Sequence, residues 1–238
     1  MNKTDFLVIG SGIAGLLFAL KVAERGTVRI VTKRGASDSN TSFAQGGIAS
    51  VIDPKDSFDA HIQDTLRVGG GLCRPSIVEM VVREGPGCIE DLIAYGVDFT
   101  REGKGLALAR EGGHSANRIV HFRDFTGQEI QRILLERVLA HRNIRLEENR
   151  MAIGLVTERH VRSGAPPRGV YGAYVLDVES DRIDAIAARR TILATGGAGK
   201  VYIYTSNPDV ATGDGIAIAY RAGARVANLE FVQFHPTW

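Results

Sequence analysis

The hydrophobic pattern changes period along the chain, and each change marks an element. An unbroken apolar run from Phe6 to Ile9 meets three glycines spaced Gly10-x-Gly12-x-x-Gly15, and a helix-compatible stretch from Leu16 to Arg25 follows at once. A short apolar run bounded by turn residues reads as a buried strand, so the chain opens as strand, tight turn and helix. Val28 to Thr32 is β-rich after Gly26 and predicts a second parallel strand. Helical spacing returns at Ser57–Val68, with Phe58, Ile62, Thr65 and Leu66 on one face. It returns again at Ser76–Tyr95, with Ile77, Val81, Ile89, Leu92 and Ile93 apolar. Gly85-Pro86 should break or kink this second helix, because proline removes a donor and crowds the preceding turn. Gly96 should end it. His61 is expected on a solvated helix face.

Thr126-Gly-Gln-Glu129 has the spacing of a capping box for a helix to about His141, with Ile130, Ile133, Leu134, Val138 and Leu139 on its apolar side. Ile119–Phe122 and Ile144–Leu146 read as strands. Met151–Thr157 and the alternating Arg168–Asp177 stretch predict a small antiparallel β-meander over residues 151–187, with a turn or flexible loop at Ser163-Gly-Ala-Pro-Pro167. Arg190–Leu193 is a further strand running into glycines, and Thr212-Gly-Asp-Gly215 opens a small-residue helix to about Gly223. The alternation predicts an α/β fold. It should be a Rossmann-like domain with a central parallel sheet, helices on both faces and the small meander.

The glycine turn carries a definite chemistry. Gly10 suits a tight turn, Gly12 lets backbone approach a pyrophosphate, and Gly15 lets helix pack on strand. The new helix directs its unpaired N–H groups and positive dipole end at the phosphates. The second strand ends in Thr32-Lys33, where dinucleotide folds commonly carry an acid for the ribose hydroxyls. That departs from the usual NAD form; Lys33 either meets phosphate or adenosine or is simply exposed. Residues 34–57 are polar and irregular, either wrapping a polar cofactor or forming a mobile surface loop. Arg110, Glu111, His114 and Arg118 crowd around Gly112-Gly113, as a site for a small charged substrate or as a hydrated hairpin tip. Asp214 either caps its helix or binds hydroxyl groups.

Composition narrows the classes. Of 238 residues 44% are hydrophobic and 24% charged, which allows a sizeable core. A net charge of +2 without a long basic run gives no sign of nucleic-acid binding. Cys73 and Cys88 have no metal-ligand or redox spacing, so no metal site is expected and both thiols should be buried or inert in a reducing compartment. No stretch approaches a membrane span and no charged-then-apolar leader precedes the first strand, so a soluble cytoplasmic protein is expected.

Six segments in order carry a family resemblance. They are Gly10-Ser-Gly-Ile-Ala-Gly15, Asn40-Thr-Ser-Phe-Ala-Gln-Gly-Gly47, Arg110-Glu-Gly-Gly-His-Ser115, Ala194-Thr-Gly-Gly197, Thr212-Gly-Asp-Gly215 and Gln233-Phe-His-Pro-Thr237. Together they resemble the FAD-containing succinate dehydrogenase/fumarate reductase flavoprotein group, over essentially the whole chain, and within it the branch that oxidises L-aspartate. The resemblance implies FAD as cofactor. Membrane-bound relatives usually carry a flavin-linked histidine where Asn40 stands, so noncovalent FAD is implied. Gly10, Ser11, Gly12, Ile13, Ala14 and Gly15 would follow the pyrophosphate, with Lys33 near the adenosine half. Asn40, Thr41, Ser42, Phe43, Ala44, Gln45, Gly46 and Gly47 would wrap the phosphates and the isoalloxazine. Ile153 would present backbone to the adenine, Ala194, Thr195 and Gly196 would adjoin the cofactor, and Asp214 would bind its hydroxyls. Glu111 would meet the substrate ammonium and His235 a substrate carboxylate.

The implied reaction turns L-aspartate into iminoaspartate, with FAD as hydride acceptor and oxygen or fumarate as reoxidant, in de novo NAD biosynthesis. Quinolinate synthase is an implied partner, and neither nucleic acid nor membrane is. The family's acid/base arginine lies beyond the Phe-His-Pro-Thr motif, so no catalytic residue is expected within this chain. Residues 1–238 are expected to be an incomplete N-terminal FAD-binding domain lacking one late sheet strand, with a capping domain starting near residue 236 and no turnover by the fragment itself. A soluble fumarate reductase- or succinate dehydrogenase-like flavoprotein and a non-catalytic nucleotide-binding module are the competing expectations.

Overall fold

In the computed structural model, which describes residues 2–161 and 169–233, the N-terminal apolar run forms β1 (Asn2–Ile9). Leu7 and Val8 are fully buried on opposite faces, which is why this strand lacks a polar alternation. Helix α1 (Ile13–Val22) follows, burying Gly15, Leu16 and Ala19, and then β2 (Val28–Val31). The stretch expected to be irregular contains one helical turn, α2 (Asn40–Phe43), and the short strand β3 (Ile48–Ala49). Helix α3 (Phe58–Val68) starts where the Ser57 hydroxyl accepts the Ala60 N–H at 3.1 Å. Helix α4 (Pro75–Tyr95) has its first proline where a helix tolerates one and stops at Gly96, φ +109°.

Four two-residue strands come next: β4 (Arg101–Glu102), β5 (Gly105–Leu106), β6 (Leu108–Ala109) and β7 (Ile119–Val120). After α5 (Thr126–Ala140) the chain gives β8 (Ile144–Glu147), β9 (Arg150–Thr157), α6 (Glu158–Val161), β10 (Val170–Asp177), β11 (Arg182–Leu193) and α7 (Asp214–Arg221). The turn expected at 163–167 and the end of the chain from residue 234, with His235, lie outside the described residues.

Two compact units result, residues 1–42 with 134–238, and residues 43–133. The first is built on a six-stranded sheet in the order β8-β2-β1-β11-β10-β9. Its first four strands run parallel, with Phe6 opposite Val28, Val28 opposite Ile144 and Ile9 opposite Leu193. β10 runs antiparallel to both neighbours. The expected meander forms from β9, β10 and the first half of β11, and the strand expected at Arg190–Leu193 is the end of β11. β11 is one strand that pairs with β10 over its first half and with β1 from Ile186 to Leu193, joining meander to parallel sheet. Leu7, Ile9, Val31, Leu155, Val175, Ile186 and Ile218 form its core. The second unit holds the three-stranded sheet β3-β7-β6, the β4-β5 hairpin and helices α3 and α4.

Several expectations are corrected. Helix α4 runs through Gly85-Pro86 without ending. Pro86 forgoes the N–H that would bond to the Val82 carbonyl. Gly85 answers to packing, because a Cβ there would stand 3.2 Å from the Ser50 hydroxyl. The capping box is not formed: the Thr126 hydroxyl accepts from the Phe122 N–H at 3.0 Å, and the Glu129 carboxylate pairs with Arg132 at 2.9 Å. Cys88 is exposed and Cys73 partly so.

His61 lies inside, at 7% exposure, not on a solvated face. The cause is Arg118, which is fully buried and brings its charge into the second unit. A buried guanidinium must be paired. Asp56 receives it through two bonds of 2.8 Å and Asp64 through a third of 2.8 Å. Helix α3 supplies Asp64 and therefore turns position 61, three residues earlier on the same face, inward with it.

Burial, and then the Arg118 charge and His114, push the His61 pKa below its ordinary value, against a smaller pull from Asp56 and Asp64. An unfolded chain binds this proton near pH 6.5, about the ordinary histidine value, and the folded unit resists it. The stabilising contribution of His61 is therefore complete above about pH 6.5 and is lost as pH falls below it. Calorimetry should find a smaller drop in thermal midpoint between about pH 7.5 and about pH 5.5 for His61→Gln than for the unmodified protein.

Candidate functional site

The carboxyl ends of β1, β2 and β11 converge on a cleft of about 320 Å³ in the first unit, with Ile9, Val31 and Leu193 in its wall. Ligands of open α/β sheets sit at such strand ends. The ends are tied by backbone bonds: Gly10 N–H donates to the Val31 carbonyl at 3.0 Å and Ala194 N–H to the Ile9 carbonyl at 2.8 Å. Gly10 has φ +112°, and a Cβ there would collide with the Ala194 carbonyl. A Cβ at Gly15 would collide with the Gly10 carbonyl and stand 3.3 Å from the Val8 side chain. Helix α1 thus sits directly on its own strand.

Gly12 is the N-cap of α1, with no side-chain cap and no acidic residue in the first turn. The Thr41 hydroxyl takes the Ile13 N–H at 3.1 Å, and Ala14 is exposed at the cleft. A helix start without a carboxylate over it, its backbone lining the cleft, suits an anion. The Ser11 hydroxyl lies 3.0 Å from the Ala36 carbonyl and 3.1 Å from Thr32, so it braces the end of β2.

Lys33, at that end, donates to both Asp214 and Thr212. Cation and carboxylate meet where β2 stops and α7 begins. Gly215 packs α7 against Thr195, where a Cβ would collide with the threonine side chain. The Asn40 amide faces the 194–196 turn, 3.8 Å from the position of a Cβ on Gly196. Arg150 adds a second cation, held at 2.9 Å by Asp177.

The structure brings Gly10, Ser11, Gly12, Ile13, Ala14, Lys33, Asn40, Thr41, Ala194, Thr195, Gly196 and Asp214 to this one cleft. Gly15 lies behind the wall. The Ser42 hydroxyl donates to the Ser37 carbonyl. Ile153 does not line the cleft; its neighbours Met151 and Ala152 do, and its carbonyl accepts from Arg221 at 3.0 Å. Phe43, Ala44, Gln45, Gly46, Gly47 and Glu111 belong to the second unit. There the Ala44 carbonyl accepts from Gly127 at 3.0 Å, and a Cβ on Gly47 would collide with the Val120 carbonyl. Glu111 Oε1 lies 3.2 Å from where a Cβ on Gly46 would stand, so two sequence-predicted segments meet.

Asp38 and Ser39, from the polar 34–57 stretch, also line the cleft, and Arg150, Met151, Val210 and Ala211 line it without having been foreseen. β9 is the far edge of the sheet by pairing order, yet it starts beside the end of β2, where Arg150 N–H donates to the Thr32 carbonyl at 2.8 Å. No local pattern announces that placement. Among the described residues no three of His, Cys, Asp or Glu are grouped to hold a metal, and no helix is long and apolar enough to cross a membrane.

Residues 5–238 match the protein family described as FAD binding domain, so the chain belongs to that family and its cofactor is FAD. The residues present fit such a group: glycines that admit backbone contact, a helix start with no acidic residue in its first turn for phosphates, and the Lys33–Asp214 pair beside it. Among curated proteins the chain is similar to L-aspartate oxidase 1 of Ralstonia nicotianae, 50% identical over 236 residues that cover 98% of this chain and 44% of the relative. It is similar also to L-aspartate oxidase of Pseudomonas aeruginosa, 48% identical over 241 residues, again 98% and 44%. It therefore spans under half the length of these relatives. Among solved structures it resembles Sdh1 of Mycobacterium smegmatis, with a TM-score of 0.90, 32% identity and coverage of 99% of this chain and 41% of that one. The quinol fumarate reductase FrdA of E. coli follows at TM-score 0.85 and 28% identity, covering 93% and 37%.

Two substitutions separate binding chemistry from backbone fit. Asp214→Asn should weaken FAD binding by about tenfold, the order expected for one bond to a charged group, and leave the thermal midpoint of the FAD-free protein unchanged. Gly10→Ala should lose both flavin affinity and stability. Flavin fluorescence titration and calorimetry measure the two effects.

Proposed function

We propose that this chain is the cofactor-binding part of a flavoenzyme that oxidises L-aspartate to iminoaspartate. Its similarity to L-aspartate oxidases supports the reading, and the observation that carries it is the position of Glu111. An amino dicarboxylate needs an acceptor for its ammonium as well as donors for its carboxylates. The Glu111 carboxylate, exposed beside Gly46 within the segment assigned to the flavin, supplies that acceptor. A site for succinate or fumarate alone has no use for such a group.

Ser11 to Ala14 present backbone at the start of α1 to the pyrophosphate, and Lys33 with Asp214 holds polar groups of the adenosine and ribityl portions. Asn40 has no nucleophilic nitrogen, so attachment is noncovalent. Bound FAD supplies the hydride acceptor, and oxygen or fumarate restores it. His235 holds a substrate carboxylate. The acid/base group is assigned to an arginine beyond residue 238, in or after a capping domain that starts near residue 236. The product belongs to de novo NAD biosynthesis in the cytoplasm. Because iminoaspartate hydrolyses readily, quinolinate synthase is the fitting partner.

A second reading, a soluble fumarate reductase- or succinate dehydrogenase-like flavoprotein, is favoured by the likeness to Sdh1 and FrdA. Anaerobic mixing separates them. L-Aspartate should bleach the flavin of the protein that extends this chain and succinate should leave it coloured; the reverse result would remove the proposal. Acid precipitation should release the flavin into the supernatant. The 238-residue chain with added FAD should produce no peroxide from L-aspartate.

A further inference from the structure

The second unit holds a charge cluster directly beneath the turn that carries Glu111. At its centre is Asp64 on α3, whose side chain is buried. Its Oδ2 accepts the Ser115 N–H at 2.7 Å, the Ser115 hydroxyl at 2.6 Å and Arg118 Nη1 at 2.8 Å. Its Oδ1 accepts from Arg67 Nη2 at 2.8 Å. The same Arg67 nitrogen reaches the Gly113 carbonyl at 3.3 Å, and the same Arg118 nitrogen reaches His114 Nδ1 at 3.3 Å. The turn closes where His114 N–H meets the Glu111 carbonyl at 3.3 Å. One carboxylate therefore organises the contacts of Gly113, His114 and Ser115, directly or through a guanidinium that it holds.

The arrangement exceeds what neutralising Arg118 requires. Asp56 already receives that guanidinium through two parallel bonds, the strong geometry for the pair. Asp64 directs its remaining capacity at the turn. Bonds from the Ser115 hydroxyl and N–H, before those of Arg118, hold its carboxyl well below the usual carboxylate range, so it stays an acceptor throughout the neutral range. The Arg118 guanidinium can only donate, so His114 Nδ1 faces it as the acceptor in their contact.

We propose that Asp64 is a positioning residue that fixes the Glu111–Ser115 turn, and so holds the Glu111 carboxylate against Gly46 and sets the preference for a dicarboxylate bearing an amino group. This rests on the reading of Glu111 as the ammonium acceptor. A group that acts only by holding the unit together would affect every ligand alike. One that places Glu111 affects only ligands with an ammonium.

The test uses the FAD-loaded, full-length protein. Its readouts are KM and kcat for L-aspartate, and the inhibition constant of succinate, the same dicarboxylate without the amino group. Ser115→Ala removes one bond to Asp64 and leaves the Arg118 pairs in place; KM for L-aspartate should rise about three- to tenfold. Asp64→Asn should raise it by about tenfold or more. In both, kcat and the succinate constant should stay within about twofold, Ser115→Thr should restore KM, and hydrogen exchange of the Ser115 amide should accelerate in Asp64→Asn. Ser115→Ala decides the matter independently of any folding loss in Asp64→Asn. Equal weakening of both ligands overturns the proposal. An unchanged KM in Ser115→Ala and Asp64→Asn, beside a raised KM in Glu111→Gln, overturns it while leaving the role of Glu111 intact. An unchanged KM in Glu111→Gln removes the role of Glu111 and this inference with it.

Discussion

A side chain on Gly10 would collide with the Ala194 carbonyl, and the cleft depends on that approach. β1 and β11 are adjacent parallel strands, and the turns leaving their carboxyl ends press backbone on backbone. The Gly10 N–H is consumed by β2 and the Ala194 N–H by β1, which locks three strand ends into one wall. Gly15 repeats the constraint one turn into α1, under the Gly10 carbonyl. The helix start cannot drift from the strand, so its backbone donors face the cleft at a set position. An anion-binding site built this way needs no charged side chain at its centre.

Charged side chains serve instead at the margins, and in each unit they act in pairs. Lys33 and Asp214 come from the end of β2 and the start of α7, far apart in sequence, and bind each other at the cleft. This pair stands where a lone acidic residue commonly ends the second strand. In the second unit Arg118 is fully buried between two aspartates, and the cost of burying its charge is met by complete pairing. That requirement reaches back into α3: it draws Asp64 inward, brings His61 with it, and leaves Asp64 bonded to the turn at Ser115.

The legible parts of the fold were those governed by neighbours in sequence. The Phe6–Ile9 run, the glycine spacing after it, the stop at Gly96 and the strand running into Ala194 each rest on local backbone chemistry, and each forms as expected. Local rules failed where a distant group made a competing demand. Gly85-Pro86 reads as a break or kink, but the glycine answers to Ser50 and the helix continues to Tyr95. Thr126 reads as half of a capping box, but its hydroxyl serves Phe122. Arg190–Leu193 reads as a further strand, but it is the end of β11, which begins in the meander.

The sequence by itself determined that a strand meets a glycine turn and a helix near the N-terminus, and that six ordered segments belong to a flavin-binding chain. Periodicity and glycine geometry act over a few residues, so they survive without knowledge of the fold. Tertiary structure alone decided that Arg150 and Met151 reach the cleft from the far edge of the sheet, and that Lys33 is partnered by Asp214. It also decided that Arg118, legible only as a charge near two glycines, is buried while Glu111 is exposed. Those outcomes turn on which charges are withdrawn from water together. Desolvation is a property of the packed chain, and no local spacing encodes it.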